Sequence, residues 1–424
     1  MISKEHGEGS DHRVISIKDK ERLRALAAKR MEYASNAEND RILKMWRALS
    51  EGKREAPTVR LLFSNFMDEV VDNRLVCEDR QARCVERQLV AGLVGRELFM
   101  DDTPITPNFP VSWSTRFTLF GVQPIKKRSV DPKAKGFHIE PVIEDLEADF
   151  DKLRGGSFSV DRADTEKNIS FAQEIFGDIL PVKMTMASLT GAITNPLVQL
   201  MGMENYYFAM YDTPDALHAL MDMATKLYED YYDFLEKEKL LLPTAECSFV
   251  AQESFAFNSE LPTDKAETTR DVWGFLESQE TTAVSKEMFG EFVFPYQDRL
   301  VKRYGLLSYG CCERVDAIWP DYLSRWKNLR KLSVSPFNNE NLIGEYLRGS
   351  NVVYYSKPRA EYVTNPGPMD ESALRKSFKS VCEAASGCLF EIAQREVGTI
   401  FGDYARGRRY VEILRECIDA YWKP

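Results

Sequence analysis

Residues 308–313 read SYGCCE, so a phenol, two adjacent thiols and a carboxylate fall within one short stretch. Three readings fit those side chains. Thiolates and carboxylates ligate zinc, paired thiols exchange electrons, and small residues also simply end buried strands. A disulfide between neighbours is strained, and eight cysteines without a C-x-x-C pair in a 424-residue chain read as reduced thiols, so a redox pair is not expected. Side chains in a strand alternate between faces, which puts Tyr309 and Cys311 on one face and Gly310 and Cys312 on the other. One cysteine is then expected to face a cavity, although a strand ending at Gly310 would turn both toward its mouth. A second polar group, Glu277, Gln279 and Glu280, stands beside Trp273 and Phe275. Arg60, Arg116 and Lys183 lie in apolar runs, where an inward charge needs a partner or an anionic ligand. The four histidines, at 6, 12, 138 and 218, exclude a histidine-rich site. No G-x-G-x-x-G or G-x-x-x-x-G-K-[ST] run occurs, and so few histidines leave no credible Ser-His-Asp arrangement.

The elements that must hold these residues begin with helix. Residues 1–17 read as a disordered tail, and 18–56 as an N-terminal extension of two amphipathic helices broken near Ser35 and Asn36. Beyond Pro57 the texture changes to short apolar runs at 58–63, 114–120, 181–187, 245–251, 305–311, 330–335, 351–355 and 387–393. Long helical stretches such as 204–237, 286–303 and 369–385 separate most of them. Eight strands alternating with helices predict an α/β fold, a closed (β/α)8 TIM barrel over 57–424, with an open doubly wound sheet as the competitor. In a barrel the chemistry sits in the loops after the strands. That points to segments 64–70, 121–126, 188–196, 252–260, 311–316, 336–340, 356–360 and 394–403, with 271–282 as an added wall.

Composition narrows the partners. Apolar residues make up 44% of the chain, enough for a large core, and 56 basic against 66 acidic residues give a net charge of −10. An acidic balance without long single-sign blocks disfavours nucleic acid and anionic membranes. No apolar run reaches the roughly 18 residues of a membrane helix and the first residues are too polar for a secretory signal, so a cytoplasmic protein is expected.

The stretch from DVWGFLESQETT through SYGCCERVD, with NLRKLSVSPFNN, VVYYSKPRAEY and FGDILPVKM, resembles the uroporphyrinogen decarboxylase superfamily. The resemblance is closest to an anaerobic-bacterial branch related to corrinoid-dependent methyltransferases. It implies the barrel with an N-terminal helical extension, and dimerisation across barrel faces. In the methyltransferases it implies a His-x-Cys and a later cysteine holding zinc, with a corrinoid protein as partner. Here the pattern reads Tyr309-Gly310-Cys311, and Arg395-Glu396 stand where the second cysteine would fall. The resemblance therefore selects Cys311 as the working thiol, Glu277 and Glu396 as further metal ligands, and Tyr309 and Glu280 as catalytic candidates. The expected function is methyl transfer between a small molecule and a corrinoid protein, zinc-assisted. The alternative is a metal-free lyase acting on a tetrapyrrole or another multi-carboxylate, with Arg60, Arg116 and Lys183 fixing carboxylates. A barrel kept as a binding protein is the third reading.

Overall fold

The computed structural model describes residues 15–122, 124–128, 137–153 and 155–424. Most of the expected tail, residues 1–14, lies outside them. Two helices open the described chain, Ile17–Ala34 and Ala37–Ser50, and Asn36 caps the second through the Asn39 amide at 2.8 Å.

The centre of the molecule is a parallel sheet of seven strands, labelled here in chain order. They are β1 (Thr58–Leu61), β2 (Leu189–Thr190), β3 (Trp273–Leu276), β4 (Leu306–Tyr309), β5 (Leu329–Val334), β6 (Val353–Ser356) and β7 (Leu389–Gln394). In space the order is β1-β7-β6-β5-β4-β3-β2. The register sets Leu276 opposite Tyr309 and Tyr309 opposite Leu332, so the strand ends are nearly level along one edge. Runs such as LRKLSV and LFEIAQ are buried almost throughout, as expected for strands covered on both faces.

Two of the expected sheet strands are placed elsewhere. Thr115–Thr118 pairs antiparallel with Ser157–Val160, and Glu246–Phe249 pairs antiparallel with Phe255–Phe257. Their burial explains the difference: the Thr115–Thr118 strand exposes Thr115 and Arg116 and half-buries Phe117 against Tyr231, the pattern of a strand wet on one side. The segment 271–282, expected only as a wall, supplies β3, next to the edge strand β2. A separate parallel pair joins Phe109–Val111 to Val182–Met184. Hydrogen bonds between the described residues do not close the sheet into a ring, so the fold is mixed α/β with a seven-stranded parallel sheet.

One face of the sheet carries Val59, Leu61, Leu307, Tyr309, Leu332, Val334, Tyr354, Phe390 and Ile392 into the main core, under helices including Glu371–Ala384 and Tyr404–Tyr421. The other face is covered by the 246–257 hairpin and the Ala37–Ser50 helix. Trp273 and Leu306 meet Val250 and Ala256 there, while Val353 and Leu389 meet Trp46 and Phe255. Polar residues of that face are clasped by the same hairpin. The Lys331 ammonium donates to Ser254 Oγ at 2.6 Å, the Phe255 carbonyl at 2.7 Å and Glu391 Oε2 at 2.7 Å, and the Arg60 guanidinium reaches the Glu253 carbonyl.

Gly274 in β3 shows how closely the layers meet, because a Cβ there would lie 2.1 Å from the Tyr304 ring. Gly274→Ala is therefore expected to lower the unfolding free energy by about 1–3 kcal/mol through overpacking. Urea denaturation checks it, and an unchanged midpoint would show that the Tyr304 ring shifts freely.

Candidate active site

The strand that leads to the two thiols ends at Tyr309, and Gly310 then takes φ +100, a left-handed conformation that glycine adopts without strain. That turn breaks the alternation expected of 309–312. Tyr309 stays in the helix-facing layer, where its ring lies 5.4 Å from Trp326 and its hydroxyl meets Ser278 Oγ at 2.9 Å and Gln297 Oε1 at 3.2 Å. Cys311 and Cys312 both turn into a cavity of about 240 Å³ at the C-terminal edge of the sheet, with their sulfurs 3.6 Å apart. Tyr309 and Cys311 thus do not share a face.

The turn is held from every side. Glu313 accepts from the Cys311 amide at 2.6 Å and the Ser278 amide at 2.8 Å, tying the loop after β4 to the loop after β3. Ser333 and Ser335 donate to the Cys311 and Cys312 carbonyls, each at 3.0 Å. Lys357, just past β6, is 6% exposed and reaches Gln252 Oε1 on the hairpin and the Cys311 carbonyl at 3.4 Å. Arg359, Arg395 and Glu396 complete the polar part of the wall. Arg395 keeps buried Nε and Nη1 atoms without a hydrogen-bond partner.

Burial and neighbours set the protonation states. Burial lowers the Lys357 ammonium to about 8, and nearby Arg395 pushes the same way. The Cys312 thiol falls to about 7, first because Cys311 donates to it and then because Lys357 is close, against the opposing pull of burial. Cys311, as the donor and as a buried group, is pushed up and stays protonated. Lowered in this way, Cys312 is about half thiolate near neutrality, and thiolates are the reactive form. Iodoacetamide labelling followed by peptide mapping should show Cys312 alkylated with a midpoint near pH 7 and Cys311 nearly inert. Cys311→Ala and Lys357→Met should each move that midpoint upward, and a midpoint unmoved in both would remove them as its cause.

The other expected site residues are scattered. Glu396 lines the cavity, as Cys311 does. Glu277 lies beneath it, 5% exposed, accepting from the Gln279 amide at 3.0 Å; burial and the Glu313 and Glu280 carboxylates raise it to about 9, so it is neutral at physiological pH. Glu280 is bound to Thr194 Oγ1 and Asn195 Nδ2, each at 2.7 Å, and joins its loop to the Thr194–Met201 helix. Arg60 is held against the hairpin, while Arg116 and Lys183 are exposed on strands outside the sheet. The zinc set expected from Cys311, Glu277 and Glu396 is not assembled. Among the described residues no group of three or more His, Cys, Asp or Glu side chains is arranged to hold a metal ion. Cys311 Sγ faces Gln279 Oε1 at 3.0 Å, and Glu277 is neutral and turned to a backbone amide, so these residues do not fit zinc. Cys312 enters the cavity as expected for a strand that ends before Gly310, and the working groups not singled out from sequence are Lys357, Gln252 and Arg395.

No family model and no curated protein matches the chain. Among solved structures, a methyltransferase from Methanosarcina mazei is similar in fold, at 13% sequence identity and a TM-score of 0.50, covering 90% of this chain and 98% of that one. None of the described helices is long and apolar enough to cross a membrane.

Proposed function

We propose that this chain is a methyltransferase of the uroporphyrinogen decarboxylase superfamily, acting on a small molecule held in the cavity beside Cys311, Cys312 and Lys357. The observation that carries the reading is a buried amine and a lowered thiol facing one small cavity at the C-terminal strand edge, where parallel α/β folds place their chemistry. Methyl transfer replaces one bond to a tetrahedral carbon by another, so the entering atom must shed a proton or the departing one must gain it. An amine titrating near pH 8 can do either at physiological pH. The Cys312 thiolate stabilises positive charge at the carbon or heteroatom that carries the methyl group.

Further parts of the proposal follow from the same site. The Phe109–Val111 and Val182–Met184 pair fills the gap between β1 and β2 in a closed barrel, with Val182–Met184 and Leu189–Thr190 as two parts of one strand of eight. The other substrate is a corrinoid protein, which meets the mouth of the cavity where Phe337 is 62% exposed. A cytoplasmic homodimer with reduced thiols completes the picture. Zinc is assigned no step. Tetrapyrrole decarboxylation is not favoured, because Arg60, Arg116 and Lys183 do not line the cavity. The cavity volume of about 240 Å³ also falls below the roughly 300–1,000 Å³ of drug-sized ligand sites.

The test uses free reduced cobalamin in place of the corrinoid protein and a panel of methylated amines, thioethers and aryl methyl ethers. One donor class should methylate the cobalt, read from loss of the cob(I)alamin absorbance. No class rising above the protein-free control would sink the reading.

A further inference from the structure

We propose that Cys311 and Cys312 are a peroxide-sensing pair that closes to a disulfide between adjacent residues, removing both thiols from the cavity reversibly. Their sulfurs are 3.6 Å apart and both line the cavity, so the two atoms that would bond already face each other. Glu313, Ser333 and Ser335 hold the amide and carbonyl groups of that turn, so the closed bond strains the peptide they fix and the open pair is what they favour. The other thiols lack this arrangement. Cys77, Cys382, Cys388 and Cys417 are buried, burial pushes Cys77 and Cys247 up to about 12, and Cys84 is exposed.

The two sulfurs have different roles. The Cys312 thiolate attacks one oxygen of a hydroperoxide, the O–O bond breaks, and the departing oxygen takes a proton from the Lys357 ammonium, leaving a sulfenic acid. The Cys311 sulfur then attacks the Cys312 sulfur. The S–S bond forms as the S–O bond breaks, and water leaves with the Cys311 proton once Lys357 has regained its own from solvent. Two thiols are oxidised by two electrons and one peroxide is reduced. Adjacent Cα atoms sit about 3.8 Å apart, short of the usual span of about 4.4–6.8 Å for a disulfide. The strain that disfavours a permanent bond makes this one easy for cellular thiols to reduce.

The consequence for catalysis rests on the proposed function, but the chemistry can be read without it. The full chain is treated with stepwise hydrogen peroxide, blocked with iodoacetamide and mapped by mass spectrometry, with and without dithiothreitol. The peptide carrying both cysteines should lose two hydrogens and take no label, and dithiothreitol should restore two labels. In Cys311→Ser, Cys312 should run on to the sulfinic acid. Sulfinic acid at Cys312 in the wild type, or an unmodified pair after Cys84 has been oxidised, would overturn the proposal. A cross-linked protein that methylates cobalamin at the full rate would keep the redox pair and remove the cavity from the methyl-transfer reading.

Discussion

Lys357→Met should abolish most methyl transfer while leaving the protein folded. Losing a positioned proton donor or acceptor slows a reaction by about 10²–10⁴-fold, and the same substitution removes a buried amine whose charge burial already disfavours. Thermal unfolding should therefore be unchanged or slightly raised while kcat/KM falls. The wild-type rate should bend near pH 8, where the amine changes charge, and the bend should vanish in the variant. Retention of the wild-type rate and bend would take Lys357 out of the mechanism. Lys357→Arg serves as a second probe, since it keeps a cation but cannot give up its proton at these pH values.

The largest stability effect should come from Lys331. Its ammonium is 2% exposed and paired with Glu391 at 2.7 Å, and the second oxygen of Glu391 already lacks a partner. Removing one member strands a buried charge, at a cost of about 3–5 kcal/mol, whereas replacing both by apolar side chains of similar size is often neutral or stabilising. Lys331→Met is expected to be strongly destabilised in urea unfolding. Lys331→Met combined with Glu391→Leu should recover most of the loss. If the single variant is no worse than the double, the hairpin contacts of Lys331, and not its charge, hold the region together.

Much of the scaffold was legible in the sequence because buried parallel strands announce themselves. Six of the eight expected runs became the sheet or its parallel partner pair, at 58–63, 181–187, 305–311, 330–335, 351–355 and 387–393. Runs 114–120 and 245–251 have the same apolar content, but which neighbour a strand pairs with depends on residues far away, and periodicity is silent about that. Within the site, the loops 311–316, 336–340, 356–360 and 394–403 were correctly marked as strand ends, and all four contribute to the cavity, which Gln252 of the marked segment 252–260 reaches from the hairpin. The choice of residues inside them was harder. Alternation assumed that the strand ran past Gly310, and a single positive φ sent Cys312 into the cavity and kept Tyr309 out. Lys357 looked like any surface lysine until the hairpin closed over it, and Glu277 and Glu280 were taken by neighbouring backbone and side chains.

The hairpin at 246–257 has a further consequence, for how the chain reaches its native state. Its clasps join residues far apart in sequence: Arg60 to Glu253 across 193 residues, Tyr355 to Gln252 across 103, and Lys331 to Ser254 across 77. Each needs a strand far from the hairpin along the chain, β1 before it or β5 and β6 after it, and must first meet the entropy of closing a long loop. Assembly should thus be slow and late, with a high contact order. A nascent chain stopped before β7 should leave Lys331 without its carboxylate partner.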